Sequence, residues 1–384
     1  MKIVYCLPQL FHPGGIERIV SIKANYLVEV YGYDVTIVVA NQKNQIPFFH
    51  LNEKIKIIDL DLDYDSTLSL PILKRLIERR KLHKLHKQKL SDILFNLHPD
   101  ITISTFTQES AFLPNIKDGS KKILEFHFCK GHKIKMAQAF HFGFITKLAY
   151  YYRCWQEENI IIPKYDQFVV LTEEDRNLWK NKINNVINIP NILSFRNVDK
   201  YADLKSKTAI AVGRLDNQKG FDTLINMWAE IVKQCKDWKL NIFGQGEDED
   251  YLNQLICKLN LKDSVFINRP DKNIQQRYLE SSLFLMTSNY EGWGLVLTEA
   301  MQCGVPVIAF ACKCGPKDII NNGDDGFCIP YKNENLFIKH TIQLMNDEKL
   351  RLTMGYNARK NIQRFSIDNV MPKWHDLFNK LINN

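Results

Sequence analysis

The sequence predicts an α/β protein built from two doubly wound parallel sheets, one in each half of the chain. Short apolar runs of strand length alternate with stretches of helical period from Lys2 onward, and a second such series begins near Lys207. Between the two, Ile189-Pro-Asn-Ile-Leu opens a polar stretch to Lys205 that reads as a linker.

In the first half, Lys2 to Leu7 and Asp34 to Ala40 are short apolar runs, and Ile16 to Tyr31 between them has helical spacing. Lys54 to Leu60, Ile101 to Thr105, Lys122 to Phe128 and Gln167 to Leu171 read as further strands. The second half repeats the pattern with Thr208-Ala-Ile-Ala-Val, Leu240-Asn-Ile-Phe, Val265-Phe-Ile, Leu283-Phe-Leu-Met, Val307-Ile-Ala and Gly326-Phe-Cys-Ile, helices lying between them. These limits give one domain over 1–190, a linker over 191–206 and a second domain over 207–364. No low-complexity tract or short-period repeat interrupts either series.

With 384 residues, 45% of them hydrophobic, the chain can fill two or three cores. Its nine cysteines form no framework. Cys312-Lys-Cys314 is the single close pair, and no Cys or His pair at zinc spacing accompanies it, so buried or free thiols in a reducing compartment are expected. Met1-Lys-Ile-Val-Tyr-Cys-Leu-Pro is too short an apolar run for a secretory signal, and no later run reaches bilayer-spanning length. The expected location is the cytoplasm, with at most a surface attachment to the inner face of the cytoplasmic membrane.

The most informative stretch is Tyr290-Glu-Gly-Trp-Gly-Leu-Val-Leu-Thr-Glu-Ala, in which Glu291 and Glu299 stand eight apart. Leu283-Phe-Leu-Met-Thr before it reads as a buried strand, and Leu295 to Cys303 as a helix ended by Gly304 and Pro306. Glu291 therefore falls in a loop and Glu299 within the helix. Gly292 and Gly294 allow a ligand close to the backbone, and amides opening a helix are unpaired donors at its positive end, suited to phosphate. A carboxylate in the helix can accept from both hydroxyls of a ribose, and one in the loop from the hydroxyls of a hexose.

This wording resembles the E-x7-E motif of the retaining glycosyltransferases of family 4, and the similarity extends over nearly the whole chain, most specifically its second half. It implies the GT-B fold, two Rossmann-like domains facing a central cleft, with a final helix over 365–384 that completes the N-terminal, acceptor-binding domain. It implies donor contacts at Gly213, Gly244, Arg269, Gly292, Trp293, Gly294, Leu295 and Glu299. Trp293 stands where Phe is common and keeps an aromatic wall. Cys314-Gly315-Pro316-Lys317-Asp318 and Asn322-Gly-Asp-Asp-Gly-Phe also match family segments. Cys314 replaces a usual glycine and Asp318 a usual glutamate, which puts a backbone contact at 314 and the carboxylate's reach at 318 in question.

Arg214 and Lys219, in Gly213-Arg-Leu-Asp-Asn-Gln-Lys-Gly, follow a strand and precede a helix, so both cations can reach one diphosphate. Gly14 and Gly15, in Phe11-His-Pro-Gly-Gly-Ile-Glu-Arg, either let the backbone approach donor or acceptor or form a plain turn. They are no dinucleotide fingerprint, because G-x-G-x-x-G is absent. In Phe243-Gly-Gln-Gly-Glu-Asp the acids oppose phosphate, which favours a structural turn near the nucleotide. His127 is open between a satisfied rim residue and the polar contact to the donor hexose that the resemblance implies. Asp59-Leu-Asp-Leu-Asp-Tyr-Asp65 suggests a D-x-D metal site but lies far in sequence from the nucleotide motifs; a solvated strand end is the expected reading. No metal and no cofactor are expected.

Lys74 to Arg153 holds sixteen Lys and Arg against six Asp and Glu, a larger surplus than the +8 of the whole chain. Its basic helical stretch over 74–90 and the aromatic-rich 130–153, including Phe140-His-Phe-Gly-Phe and Tyr150-Tyr-Tyr, suit either an anionic membrane surface or an ordinary solvated face. No nucleic-acid recognition motif is present. The expected activity is retaining, metal-independent transfer of a hexose or N-acetylhexosamine from a nucleotide diphosphate, UDP first, to a lipid-linked surface glycan. A GT-B epimerase or phosphorylase and a catalytically silent sugar-binding module are the alternatives; the latter would have lost Arg214, Lys219 or Glu299, and none is lost.

Overall fold

The computed structural model describes residues 1–139, 144–195 and 198–383. By packing, the chain divides into two units. Unit 1 comprises Met1–Leu171, Asp175–Ile189 and the chain from Met371 onward; unit 2 comprises Thr172–Glu174 and Pro190–Val370. The strands are β1 (Lys2–Leu7), β2 (Asp34–Val39), β3 (Lys56–Asp59), β4 (Ile101–Ser104), β5 (Lys121–Phe126), β6 (Gln167–Val170), β7 (Val186–Asn188), β8 (Thr208–Val212), β9 (Lys239–Phe243), β10 (Val265–Asn268), β11 (Leu283–Met286), β12 (Val307–Phe310) and β13 (Gly326–Ile329). The helices are α1 (Gly15–Glu29), α2 (Ile72–Leu97), α3 (His132–Ala139), α4 (Phe144–Gln156), α5 (Glu173–Trp179), α6 (Phe221–Gln234) and α7 (Glu249–Lys258), followed by α8 (Ile274–Leu279), α9 (Leu295–Gln302), α10 (Pro316–Ile319), α11 (Glu334–Asn346), α12 (Glu348–Asn361) and α13 (Ile367–Asn383).

Unit 1 holds a seven-stranded parallel sheet in the order β3-β2-β1-β4-β5-β6-β7. Its central strands are buried on both faces because their residues are apolar without alternation, as in Ile3-Val-Tyr-Cys-Leu. β3 is the exposed exception and pairs along one edge only. α13 seals this unit with Val370, Met371, Trp374, Leu377 and Phe378, a buried stripe at helical spacing. Buried Lys23 of α1 pairs with buried Glu125 of β5 at 2.7 Å, and its ammonium sits 3.7 Å from the Trp374 ring centroid.

Unit 2 holds a six-stranded parallel sheet in the order β10-β9-β8-β11-β12-β13. α6 covers it with Phe221, Leu224, Ile225, Trp228 and Ile231, one face of a helix whose other face is wet. In both sheets strand order reverses beside the first strand: between β1 and β4 in unit 1, and between β8 and β11 in unit 2. Open α/β sheets bind ligands at such switch points, beyond the carboxyl ends of the strands.

Three sequence expectations need correction. β7, a three-residue edge strand, was hidden because Val186-Ile-Asn is too short to register as a run. The linker expected over 191–206 packs in part against unit 2: Ile192, Leu193 and Leu204 are buried, and the Leu193 N–H bonds to Phe365 O at 3.0 Å. The last helix begins at Ile367 and passes into unit 1 at Met371, so Phe365 belongs with unit 2. The aromatic run starting at Phe140 lies outside the described residues over 140–143, as do Arg196 and Asn197 of the linker. Among the described residues no helix is long and apolar enough to cross a membrane.

Candidate functional site

The loop after β8 and the loop after β11 flank the switch point of unit 2, and hydrogen bonds and an ion pair stitch them together. Asn289 N–H donates to Gln218 O at 2.7 Å, Asn289 Nδ2 to Asn217 O at 2.6 Å, and Gln218 Nε2 to Tyr290 O at 3.1 Å. The Thr287 hydroxyl donates to Gly220 O at 2.8 Å, and Lys219 Nζ lies 2.7 Å from Glu291 Oε1. Glu291 N–H in turn donates to Lys313 O at 3.1 Å, which brings in the loop after β12. The expected cation and the expected hexose-binding carboxylate are thus one ion pair, both largely enclosed.

Glycines make this approach possible. Gly220 adopts φ +62°, and a Cβ there would stand 2.6 Å from Thr287 O. A Cβ at Gly244 would stand 1.9 Å from Gly213 O, because Gly213 N–H bonds to Phe243 O and Leu215 N–H to Gln245 O. Gly244 is therefore a packing residue that lets the loop after β9 support the loop after β8. This agrees with the structural-turn reading; Glu247 and Asp248 precede α7.

Arg214 reaches outward. Its guanidinium bonds Gln218 Oε1 at 3.0 Å and lies 3.2 Å from Asp216, with the side chain 71% exposed. Gln218 thereby links Arg214 to the Tyr290 carbonyl, next to Glu291; sequence reading passed over it because a glutamine in a loop carries no motif. Gly294, at φ +98°, caps α9, whose opening amides Leu295 heads. Glu299 is buried in α9, and its Oε2 accepts from the Tyr278 hydroxyl of α8 at 3.0 Å. Tyr278 was also missed, since it read as an ordinary core aromatic.

Two expected donor residues stand differently. Trp293, expected as an aromatic wall, is buried with its ring edge-to-face on Phe365 at 4.9 Å, and a Cβ at Gly315 would stand 1.9 Å from its carbonyl oxygen. Arg269 follows β10, the edge strand two places from β8, and its exposed guanidinium pairs with Glu249 of α7 at 3.1 Å. Among the described residues no bond joins it to Lys219 or Glu291. At the two positions where the sequence departs from its family, Cys314 keeps a left-handed φ of +61° and donates its N–H to Glu174 at 2.9 Å. The Asp318 carboxylate accepts from Glu173 N–H at 2.8 Å, and burial raises its pKa against that bond.

In unit 1, Gly14 caps α1 and Gly15 opens it, at the switch point beside β1. The carboxylate of Glu17 folds back so closely that a Cβ at Gly14 would meet it at 2.1 Å, and Gln9 Nε2 donates to it at 3.0 Å. Burial raises the Glu17 pKa. This acid was missed in sequence, where a first-turn glutamate looks like routine helix chemistry. His127 is enclosed, with Nε2 3.3 Å from Glu125, an ion-pair distance rather than an aligned hydrogen bond. Burial alone would raise the Glu125 carboxyl, yet Lys23 and His127 overcome it and hold it at about 2. The acids from Asp59 to Asp65 serve local turns: Asp59 accepts from Gln42 and Asp61 amides, Asp63 from Asp65 and Ser66, and Asp65 pairs with Lys43.

Two doubly wound parallel sheets, each with its own switch point, are what a GT-B protein contains, and the comparisons with known proteins identify the class as sugar-transferring enzymes. The family of glycosyl transferases group 1 matches residues 196–361. An uncharacterized glycosyltransferase of Haemophilus influenzae is 30% identical over 383 residues, 97% of this chain and 98% of its own. The amylovoran biosynthesis glycosyltransferase AmsD of Erwinia amylovora is 36% identical over 222 residues, 56% of this chain and 62% of its own. The S. aureus protein TarM, solved with fondaparinux, alpha-GlcNAc-glycerol and UDP, superposes with a TM-score of 0.77 over 99% of this chain and 100% of that one; at 18% identity it is the fold that is shared. The chain belongs to the group 1 glycosyltransferases and has the GT-B fold.

Proposed function

We propose that this glycosyltransferase is retaining and metal-independent, and moves a hexose or N-acetylhexosamine from a UDP-sugar to a growing, lipid-linked surface glycan. The observation that carries the reading is the Lys219–Glu291 pair at the switch point, 2.7 Å across, with Arg214 joined to the same loops through Gln218. Support for the donor and the product comes from TarM, solved with UDP, and from AmsD, named for amylovoran biosynthesis.

In this reading the bond from the sugar C1 to the phosphate oxygen breaks, its electron pair leaving on the diphosphate. The acceptor hydroxyl bonds C1 on the same face, and its proton passes to a leaving phosphate oxygen. Arg214 and Lys219 stabilise the charge that grows on the leaving group, the first as a fork and the second as a point charge. The amides opening α9 face the phosphate. Glu299, oriented by Tyr278, accepts from the ribose hydroxyls, while Glu291 accepts from a hydroxyl of the transferred sugar. His127, enclosed beside Glu125, is assigned no step. The donor is a substrate, and no cofactor is invoked.

A thermal-shift panel of UDP-, GDP- and ADP-sugars tests the donor, because a ligand held only by the folded state raises its melting temperature. The UDP-sugar is expected to give the largest shift, and transfer from it should persist in excess EDTA. Activity that collapses with EDTA and returns with manganese would overturn the metal-independent mechanism.

A further inference from the structure

α2 buries one stripe in unit 1 along its second half, where His86, Leu90 and Leu94 are enclosed. At 3.6 residues per turn that stripe runs back through Leu76 and Ile72. Both are exposed, as are Leu73 and Ile77 beside them, and Leu73 is 78% exposed. The helix therefore carries its apolar face beyond the body of unit 1 without covering it.

α4 repeats the feature. Leu148, Tyr151, Tyr152 and Trp155, at i, i+3, i+4 and i+7, form one helix face, and each is at least half exposed. The Tyr152 and Trp155 rings stack at 6.1 Å. The charge of Arg153 on α4 reaches His83 on α2, whose pKa is lowered by burial first and then by that charge. Exposed apolar helix faces of this kind mark an interaction site.

The cations on α2 indicate what covers it. Arg75 and Arg79 are used within the fold, bonding Leu70 O and the Thr67 hydroxyl at 3.0 Å each. Arg80 and Lys84 continue the row of Leu73 and Ile77 by one and two turns, and among the described residues neither makes a hydrogen bond or ion pair. Uncovered aliphatics and unpaired cations in one row of α2, with exposed Tyr and Trp on α4, match the groups that a bilayer surface takes up: acyl boundary, phosphate and headgroup level.

We propose that unit 1 docks on an anionic phospholipid surface through the first three turns of α2 and the outer face of α4. This complements the lipid-linked acceptor reading without depending on it. Flotation of the full chain with vesicles needs neither donor nor acceptor, so its failure leaves the transferase reading standing. The wild type should float with phosphatidylglycerol-containing vesicles, less so as salt is raised, and stay behind with phosphatidylcholine alone. Leu73→Glu with Ile77→Glu, and separately Arg80→Glu with Lys84→Glu, should each lower binding by about tenfold or more. All four side chains are at the surface, so melting temperature and turnover on a soluble acceptor should hold. Lys258→Glu with Lys262→Glu on unit 2 should leave flotation unchanged. Absence of wild-type flotation, or flotation indifferent to both α2 variants, overturns the proposal. A wild-type dimer in sedimentation that the Leu73 and Ile77 variant splits would overturn it in favour of a second copy of this chain.

Discussion

Lys219 Nζ lies 2.7 Å from Glu291 Oε1, the two side chains being 15% and 7% exposed, so a cation from the loop after β8 and a carboxylate from the loop after β11 are held as one ion pair. Removing one partner leaves the other enclosed and uncompensated, which is costly for charges at low exposure. Lys219→Ala and Glu291→Ala are expected to destabilise the chain non-additively, with a coupling of about 1 kcal/mol or more in a double-mutant cycle on urea unfolding. Additive losses would mean the pair contributes no mutual stabilisation.

Arg214 offers the contrasting case. It is exposed and, among the described residues, bonded only within its loop, so Arg214→Ala should change stability by no more than about 0.5 kcal/mol. If it stabilises the leaving diphosphate, the same change should raise the transfer barrier by about 2 to 4 kcal/mol. Steady-state kinetics beside a melting curve separates the two effects. A well-folded variant with near wild-type turnover removes Arg214 from the chemistry.

His86 sets a pH dependence in unit 1. Burial, and after it the neighbouring His83, lowers its pKa from 6.5 to about 4; its ring lies 3.1 Å from the Tyr64 hydroxyl and edge-to-face on Phe112 at 5.2 Å. Between those values the unfolded chain binds the proton and the folded chain does not. Stability from this group is therefore full above pH about 6.5 and falls as pH drops toward about 4, by up to about 3 kcal/mol. His86→Gln should flatten that part of the profile in urea titrations at neutral and acid pH. Parallel profiles for the two proteins would show that His86 titrates normally in the fold.

Much of this was legible in the sequence, for physical reasons. Parallel strands buried on both faces must be apolar throughout, so runs such as Leu283-Phe-Leu-Met announce themselves, whereas Val186-Ile-Asn on the sheet edge does not. Lys219 and Glu291 could each be placed at the end of a strand, but their pairing depends on which strands are adjacent, and the order β8-β11 is not written locally. The same holds for Lys23 and Glu125, which lie 102 residues apart and meet only once α1 covers β5. Trp293 read as an aromatic wall from the resemblance; that its ring packs edge-to-face on Phe365, far along the chain, is not written locally. Arg269 followed a strand as Arg214 does, yet β10 is at the sheet edge, where its partner is Glu249.

The division of labour between the two glutamates is the central claim, and calorimetry of UDP binding to the wild type, Glu299→Gln and Glu291→Gln tests it most directly. Glu299, held by Tyr278 within α9, is assigned to the ribose, which free UDP contains; Glu291 is assigned to the sugar, which UDP lacks. Glu299→Gln should therefore weaken UDP by the worth of a charged acceptor, about 1.5 to 3 kcal/mol, while Glu291→Gln, which releases Lys219 for the diphosphate, does not weaken UDP and lowers transfer. Equal losses of UDP affinity in both variants would contradict the assignment, and no loss in either would move the donor away from these loops.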